Sequence, residues 1–257
     1  MIRGIWDRET VALLLLAAVA PLAAIWLLAT GASGALRLIF VLVAAGAWHV
    51  VFMLARAQPP SFSGALTALA IAVLAPVDLG PLPMAIGISF GVVAGELAFG
   101  GWGRNVVNPA TVAIVFLGFG FPVAPWPVLP VQLGWAAIAA VSIGILFGVI
   151  QWRLVAGAAA ALAAAWYGGA LTLPGLTAAT VVLALLVSDP VSSAVTGLGR
   201  WLNGLLYGAL VVAFTIGWHG AAAVQVAVSA ALLASLAAPL LDDIALRLWL
   251  ARRKRLG

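Results

Sequence analysis

Long apolar runs of about twenty residues follow one another along almost the whole chain. An α-helix needs about 20 apolar residues to cross the roughly 30 Å hydrocarbon core of a bilayer. Hydrophobic residues make up 65% of the 257 and charged residues only 7%, more apolar surface than a water-soluble domain can bury. The runs are rich in Ala, Leu and Gly and do not alternate as the strands of a membrane barrel do. The sequence therefore predicts an all-α, polytopic membrane protein.

The apolar runs divide the chain into ten predicted membrane spans. They cover residues 11–30, 35–55, 62–80, 82–99, 109–124, 134–152, 154–172, 174–188, 202–218 and 221–241. The first run is long enough to cross a membrane and no convincing cleavage site follows it, so we expect a span there and not a cleavable signal peptide. Residues 1–257 are therefore expected to form a single integral membrane domain.

The basic residues predict how these spans are oriented. With a cytoplasmic N-terminus, ten spans put eleven of the twelve Lys and Arg residues on the cytoplasmic side and only Arg37 on the other, as the positive-inside rule requires. The eleven are Arg3, Arg8, Arg56, Arg104, Arg153, Arg200, Arg247, Arg252, Arg253, Lys254 and Arg255. We therefore predict a multi-pass protein of the bacterial cytoplasmic (inner) membrane with both termini in the cytoplasm.

The formal net charge of +5 does not indicate a nucleic-acid partner. Five of the basic residues lie in the tail "RLWLARRKRLG" (247–257). Beside a membrane span, such a tail is more typical of an anchor on anionic lipid headgroups than of a nucleic-acid patch. The expected partner of the tail is the lipid bilayer, and no nucleic acid is expected.

Two polar segments interrupt the apolar pattern on the cytoplasmic side: "GGWGRNVVNPATVAI" (100–114) and "SDPVSSAVTGLGRW" (188–201). Glycine permits a positive φ and a close backbone approach, and proline suits the first turn of a helix. Asn108 and Asp189 each precede a proline, so we expect them to cap the helices that follow. The candidate cofactor-binding residues of the two segments are Gly101, Gly103, Arg104, Asn105, Asn108, Pro109, Asp189, Pro190, Ser192 and Arg200.

The position of the two segments suggests a shared purpose. Irregular backbone persists at membrane depth only where it is buried in protein or lines a polar cavity. One segment falls in each half of the chain, as expected for two pseudo-symmetric repeats of five helices, approximately residues 1–130 and 131–257. We expect the segments to open onto one hollow that holds a ligand. Ordinary cytoplasmic loops also collect Gly, Asn, Pro and Arg, so the pattern alone leaves that interpretation open.

Other ionisable or metal-binding residues are few. The chain has no Cys, which excludes cysteine-ligated iron–sulfur clusters within it. His49 and His219 lie toward opposite faces of the predicted membrane, too far apart to ligate one haem, and no metal site is predicted. Glu96 lies inside the fourth span, where an unpaired carboxylate is costly, and Arg104 is its predicted partner. We expect Glu96 and His49 to be ion-pathway or interface residues.

Four stretches together resemble a known membrane family. "AIGISFGVVAGELAFGGWGRNVVNPATVAIVFLGFGFP" (85–122) and "SDPVSSAVTGLGRWLNGLLYGALV" (188–211) carry the clearest similarity, joined by "LASLAAPLLDDIALR" (233–247) and, more loosely, "SGALTALAIAVLAP" (63–76). They are similar, in order, to motifs of the family that contains the RnfD protein of Rnf complexes and the NqrB protein of the Na⁺-translocating NADH:quinone oxidoreductase. Four matches in the right order are far more specific than one.

The resemblance implies a fold and a setting. The fold is ten transmembrane helices in two inverted five-helix repeats, as in urea transporters. Members of the family work in complexes that move electrons through flavins and couple this to ion transport. Partners would be other membrane subunits and a redox protein, either a flavoprotein or an iron–sulfur protein.

The chain departs from the family at the flavin attachment site. Family members carry FMN on a Thr in the loop after the fifth span, but the loop here, "FPVAPWPVLPVQLGW" (121–135), has no Thr or Ser. Ser235 also stands where the family usually shows Asn. Covalent FMN is therefore not expected, and the expected cofactor is a noncovalently bound flavin, either FMN or riboflavin.

Two functions follow from the sequence. The first is an integral membrane subunit of an electron-transport complex that passes electrons through a bound flavin or quinone, with coupling to ion translocation. The alternative is a transporter or channel for a small solute or an ion on the same inverted-repeat scaffold, because a fold alone does not fix the chemistry.

Overall fold

A computed structural model describes residues 7–56 and 61–256, with side chains up to residue 253. Arg3 and the side chains of Lys254 and Arg255, which the orientation prediction uses, lie outside the described part. All regular elements of residues 7–56 and 61–256 are helical, with no strand among them. The all-α prediction is therefore confirmed.

Nine α-helices follow one another in these ranges. They are α1 (Arg8–Arg56), α2 (Ser63–Leu74), α3 (Pro81–Gly95), α4 (Pro109–Gly120), α5 (Val131–Leu146), α6 (Trp152–Tyr167), α7 (Leu173–Val182), α8 (Gly197–Gly217) and α9 (Ala223–Leu256). A 3₁₀ turn (Leu97–Phe99) follows α3, and a π-helical segment (Leu183–Val187) extends α7.

Four helical stretches are long and apolar enough to cross a bilayer. They are Arg8–Arg56, Pro81–Phe99, Gly197–Gly217 and Ala223–Arg253. Large apolar side chains such as Leu28, Trp135 and Leu146 are exposed on the outside of the bundle, where lipid is the matching solvent. The chain is a multi-pass membrane protein, as predicted.

α1 consists of two helical arms. They join at Gly31, whose φ of 62° and ψ of −140° are not helical, a conformation that glycine adopts without a Cβ clash. The first two predicted spans, residues 11–30 and 35–55, lie on the two arms.

Three α-helices are much shorter than the roughly 20 residues that a membrane-spanning helix needs. α2 and α4 have 12 residues each and α7 has 10, which at 1.5 Å per residue is about 15–18 Å of helix. α2 ends because Ala75 is extended (ψ 151°) in front of Pro76, since a residue before proline avoids the helical region. Nine of the twelve α2 residues are buried. This helix is therefore part of the protein core and does not face lipid.

α2 and α7 lie in the interior of the bundle, each packed against several other helices. α1 packs against α2, α3 and α5, while α2 also contacts α4. On the other side, α7 packs against α5 and α9, and α8 packs between α6 and α9. The short helices α2, α4 and α7 therefore lie against longer ones. Both ends of α2 are buried, as are the start of α4 and the end of α7, whereas Gly120 and Leu173 at the opposite ends are exposed.

α6 and α8 approach each other closely through glycine. A Cβ added to Gly204 would collide with the carbonyl oxygen of Leu154 and the backbone of Ala158, and one added to Gly157 would collide with the Trp201 carbonyl oxygen. Small residues at such contacts let helix backbones pack tightly in a membrane.

Gly204→Ala is expected to destabilise the protein by about 1–3 kcal/mol, the usual effect of overpacking a well-packed interior. The clash is with backbone atoms, which cannot rotate away. The midpoint of thermal unfolding in detergent measures the effect. Gly217→Ala on the same helix is the matched control, because nothing lies within 4 Å of the added Cβ, and equal midpoints for the two variants would contradict the packing account.

Candidate functional site

The first break comprises residues 96–108, between α3 and α4. Gly100, Gly101 and Gly103 have φ values of 102°, 90° and 98°, the left-handed region that favours glycine. The Asn105 side chain fastens the loop internally: its Oδ1 accepts from the Gly103 N–H (3.2 Å) and its Nδ2 donates to the Val107 carbonyl (3.2 Å). Asn105 is therefore occupied in holding the shape of the break.

Two arginines of α1 satisfy carbonyl groups of the first break. Arg8 Nη1 donates to the Trp102 carbonyl (3.1 Å), and Arg56 Nη1 donates to the Leu97 carbonyl (3.0 Å). Arg104 is exposed and lies against Gly100. Among the ion pairs of the described side chains none joins Arg104 to Glu96. The predicted Glu96–Arg104 pair is therefore wrong, because the left-handed glycines between the two residues turn the chain outward.

The end of the first break is a capped helix start. The Asn108 Oδ1 accepts from the Ala110 N–H (2.9 Å), and Pro109 occupies the first turn of α4. This is the helix cap that the Asn-Pro pair predicts.

The second break comprises residues 188–196, between the π-helical segment and α8. Asp189 does not cap a helix at Pro190, as its sequence position predicts. Its Oδ1 accepts from the Val191 N–H (3.2 Å) and its Oδ2 from the Ser192 hydroxyl (2.9 Å). Such local bonds compete with helix formation, and α8 begins only after Thr196, whose hydroxyl accepts from the Gly199 N–H. The predicted cap by Asp189 is wrong for this reason.

Charged residues also hold the second break. Arg200 Nε donates to the Ala194 carbonyl (3.3 Å). Asp242 of α9 accepts from the Val195 N–H (2.8 Å), the Thr196 N–H (2.8 Å) and the Thr196 hydroxyl (2.6 Å). These bonds tie the break to the last helix.

The two breaks meet inside the protein. Asn108 Nδ2 donates to Asp189 Oδ2 at 3.3 Å, which joins residues 81 positions apart in the sequence. Between them lies a cavity of about 40 Å³, here called the central cavity. Its polar lining consists of Ser63, Thr67, Asn108, Ser188 and Asp189.

The predicted site residues therefore separate into three groups. Asn108, Pro109 and Asp189 line the central cavity. Ser192 and Arg200 bind groups of the second break, while Gly101 and Asn105 are buried in the first. Gly103 and Arg104 are exposed and Pro190 is partly exposed, away from the cavity lining.

The central cavity has the wrong size for a flavin. Its 40 Å³ holds about three water molecules, whereas sites for ring-shaped cofactors measure about 300–1,000 Å³. The residues of the two breaks therefore do not fit the flavin predicted there. A cavity of this size suits water or a small cation. The described residues also contain no group of three or more His, Asp or Glu side chains placed to hold a metal ion.

Asp189 is the acidic group of this cavity. It is 9% exposed and lies in the irregular segment between helices. Burial raises the pKa of its carboxyl above the ordinary value, because desolvation disfavours the charged form, while the hydrogen bonds from Val191, Ser192 and Asn108 act in the opposite direction. A carboxylate so placed gains from a neighbouring cation.

Sequence patterns did not point to Ser63 and Asp242 as site residues. Ser63 begins a helix in an apolar run, and Asp242 lies beside Asp243 near the basic tail, like an interfacial charge. Both reach the breaks across long sequence distances, 33 residues from Ser63 to Glu96 and 46 from Asp242 to Thr196. Local spacing carries no signal for such contacts.

Asp242→Ala is expected to destabilise the second break, because each hydrogen bond to a charged group contributes about 1.5–3 kcal/mol. Hydrogen exchange should accelerate at the amides of Val195 and Thr196. Asp243→Ala is the matched control, since Asp243 is half exposed and pairs with exposed Arg247, a type of surface pair that contributes little. Unchanged exchange in the Asp242 variant would show that Asp242 does not hold the break.

Comparisons with known proteins agree with the motif resemblance. A family model described as the NQR2, RnfD, RnfE family matches residues 2–138, more than half of the chain. Several curated relatives are named as the B subunit of the Na(+)-translocating NADH-quinone reductase. The relative from Yersinia pestis is 27% identical over 84% of this chain and 67% of its own length.

Two further relatives with that name align over similar shares. The one from Klebsiella pneumoniae (strain 342) is 28% identical over 85% of this chain and 68% of its own length. The one from Stutzerimonas stutzeri (strain A1501) is 25% identical over 82% of this chain and 66% of its own length. The family predicted from the four motifs is thus confirmed: the chain belongs to the NQR2, RnfD, RnfE family.

Proposed function

We propose that this chain is an integral membrane subunit of a redox-driven electron-transport complex of the Rnf and Na⁺-NQR type, and that its own part is to pass the coupling cation between its two breaks. The supporting observation is the buried Asp189 carboxylate at a small cavity where the two breaks meet. The names of the relatives, which call them sodium-translocating, suggest Na⁺ as that cation.

The lining of the central cavity suits a small, hard cation. Carboxylate, carbonyl and hydroxyl oxygens are the groups that such ions prefer. Asp189 supplies the charge, and Ser63, Thr67 and Ser188 supply hydroxyl groups to the same space. An ionisable residue inside a membrane protein commonly marks an ion pathway.

Electrons would be carried by a flavin or a quinone bound away from the breaks. A crevice of about 500 Å³ between α5, α6 and α7 has the volume that such a ring system needs. It is lined mainly by apolar groups, with Trp135 and Trp166 beside Thr177 and Thr180. Partner chains, another membrane subunit and a flavoprotein or iron–sulfur protein, would deliver and accept the electrons.

The proposal includes ten spans in two inverted repeats, approximately residues 1–130 and 131–257. With α1 divided at Gly31, helix contacts in the two halves correspond: α2 packs on α4 as α7 packs on α9, and α3 packs on α4 as α8 packs on α9. The sequence Leu-Thr-Ala recurs at 66–68 and 176–178, with both threonines buried. These correspondences support the repeat.

Two arginines support the same arrangement. Arg37, at the start of the second proposed span, donates to the carbonyls of Ala75 (2.5 Å) and Pro76 (3.1 Å), just after α2. Arg153, at the start of the seventh, lies against Gly197 near the end of the second break. In this repeat, the second break (residues 188–196) corresponds to the turn after α2. The first break (residues 96–108) is therefore not related to the second break by the repeat. Both termini are proposed to lie in the cytoplasm.

Sodium is expected to raise the midpoint of thermal unfolding of the purified protein above its value in choline chloride of equal concentration. A cation that binds only the folded protein stabilises it by about 2.7 kcal/mol at 100 times its Kd. Asp189→Asn should abolish this difference, because the negative charge at the central cavity is lost.

Asp243→Asn, at an exposed carboxylate, is the control and should keep the sodium effect. Potassium should raise the midpoint of thermal unfolding less than sodium does, because the larger ion fits the small central cavity less well. A sodium effect of wild-type size in Asp189→Asn, or no difference between sodium and choline in the wild type, would refute the cation route.

Flavin absorbance of the purified complex tests the electron-transfer part. Ala163→Phe, which fills the crevice between α5, α6 and α7, should lower the flavin or quinone content, while Asp189→Asn should leave it unchanged. Ala164→Phe, on the same helix outside the crevice lining, is the control. Colourless, quinone-free protein that still conducts ions in liposomes would favour the transporter or channel alternative.

A further inference from the structure

A buried polar cluster lies beside the central cavity and shares Ser63 with its lining. It consists of Glu96, Ser63 and His49, from the ends of α3, α2 and the second arm of α1. Ser63 Oγ donates to Glu96 Oε1 at 3.3 Å, and His49 Nε2 lies 3.6 Å from the same oxygen.

Within the described part of the chain, the cluster is incompletely satisfied. Glu96 is 1% exposed, and its Oε2 has no hydrogen-bond partner. Both ring nitrogens of His49 are also buried without a partner. Buried polar atoms are normally bonded, and each exception calls for an explanation. An exchangeable proton shared by the two side chains supplies one.

The cluster separates two cavities. On one side, Ser63 lines the central cavity with Asp189. On the other, His49 lines a crevice of about 240 Å³ between the second arm of α1 and the start of α2, together with Ser61 and Gly64. Gly64 is required there, because a Cβ would lie 2.9 Å from His49 Nε2. The order across the wall is therefore crevice, His49, Glu96, Ser63 and central cavity.

We infer that His49 and Glu96 form a proton-transfer pair that connects the α1–α2 crevice with the central cavity. The ligand of this site is a proton, and the inference does not depend on the cation route or on the redox partners. Ionisable chains inside membrane proteins commonly serve as proton relays, and imidazole and carboxyl groups are the usual carriers of protons in proteins.

The transfer balances as follows. His49 takes up a proton from a hydronium ion in the crevice, which becomes water. It gives its Nε2 proton to Oε1 of the Glu96 carboxylate, which leaves a neutral imidazole and a carboxylic acid. The acid then releases the proton through the Ser63 hydroxyl to water in the central cavity, which restores the carboxylate. Only N–H and O–H bonds change, no electron moves, and each cycle carries one proton.

Other charged groups surround the pair without neutralising it. Two charged groups act on Glu96 through space: Asp189 from the second break and Arg8 from the start of α1. Arg56 binds the neighbouring Leu97 carbonyl, and Arg104 lies outside, against Gly100. In the crevice, Ser61 donates to Glu9 Oε2 at 3.2 Å. Among the described side chains, the His49 imidazole lies within 4 Å of Glu96 and carries a charge only when it is protonated.

Infrared spectroscopy of the purified protein tests whether Glu96 exchanges a proton. The wild type should show a carboxylic acid band that titrates with pH and shifts in D₂O. Glu96→Gln should remove the component of the band that belongs to Glu96, and His49→Phe should displace the titration midpoint of that component. Asp189→Asn identifies the separate contribution of the buried Asp189 carboxyl. His219→Phe, at the other and exposed histidine, and Asp243→Asn are the controls and should change neither. A spectrum that Glu96→Gln leaves unchanged, or a Glu96 midpoint that His49→Phe leaves unchanged, overturns the inference.

Proton flux tests the connection between the two cavities. Protein reconstituted in liposomes with the chains that copurify should acidify the lumen under a potassium diffusion potential, reported by a trapped pH dye. Glu96→Gln and His49→Phe should each slow the initial rate about tenfold or more, as loss of a positioned proton carrier does. His219→Phe should conduct normally. Wild-type protein without flux, or equal flux in all variants, refutes the relay.

Glu96 is fully buried, so a second variant that leaves its carboxyl group in place separates loss of the proton carrier from loss of folding. Ser63→Ala keeps the carboxylic acid band but removes the exit to the central cavity, and should also slow the flux. The flux of a variant is compared with that of the wild type only if the two proteins have similar midpoints of thermal unfolding. Normal flux in a folded Ser63→Ala variant contradicts the proposed direction through Ser63.

Discussion

The structure depends on satisfying backbone groups where helices stop inside a membrane protein. A carbonyl or N–H without a partner is expensive in a low-dielectric interior, because no water replaces the lost bond. This chain has few charged residues, and it places several of them at such positions: Arg8 and Arg56 at the first break, Arg200 and Asp242 at the second, and Arg37 after α2. Arginine side chains, together with Asp242, therefore stabilise the interrupted helices of this chain.

This arrangement determines what the site can hold. Because each break is fastened to a neighbouring helix and to the other break, little space remains between them. The 40 Å³ that remains is lined by Asp189 and hydroxyl groups, which argues for a small charged ligand over a flavin. The larger apolar crevice between α5, α6 and α7 offers room for a ring system in a part of the fold where no charge is buried.

The sequence predicted the local features well and the long-range contacts poorly. Apolar runs located the helices, and the Asn-Pro pair at 108–109 predicted a real cap. The Asp-Pro pair at 189–190 carries the same signal, yet Asp189 bonds to Val191 and Ser192 instead, since both outcomes use the same side-chain oxygen. Glu96 meets His49 and Ser63 instead of the nearby Arg104, because partners from other helices depend on packing that no local pattern encodes. The shortness of α2 was missed for a similar reason: apolar residues continue past the point where Pro76 ends the helix.

The size of the central cavity has a consequence for ion selection. Space for about three water molecules cannot admit an ion with its full hydration shell, so an ion entering under the proposed function must shed most of its water. Oxygens of Asp189 and its neighbours would then replace the lost hydration. Discrimination among ions of equal charge would follow from their different dehydration energies, and a hydrated divalent ion such as Mg²⁺, which gives up water reluctantly, would be rejected at the entrance.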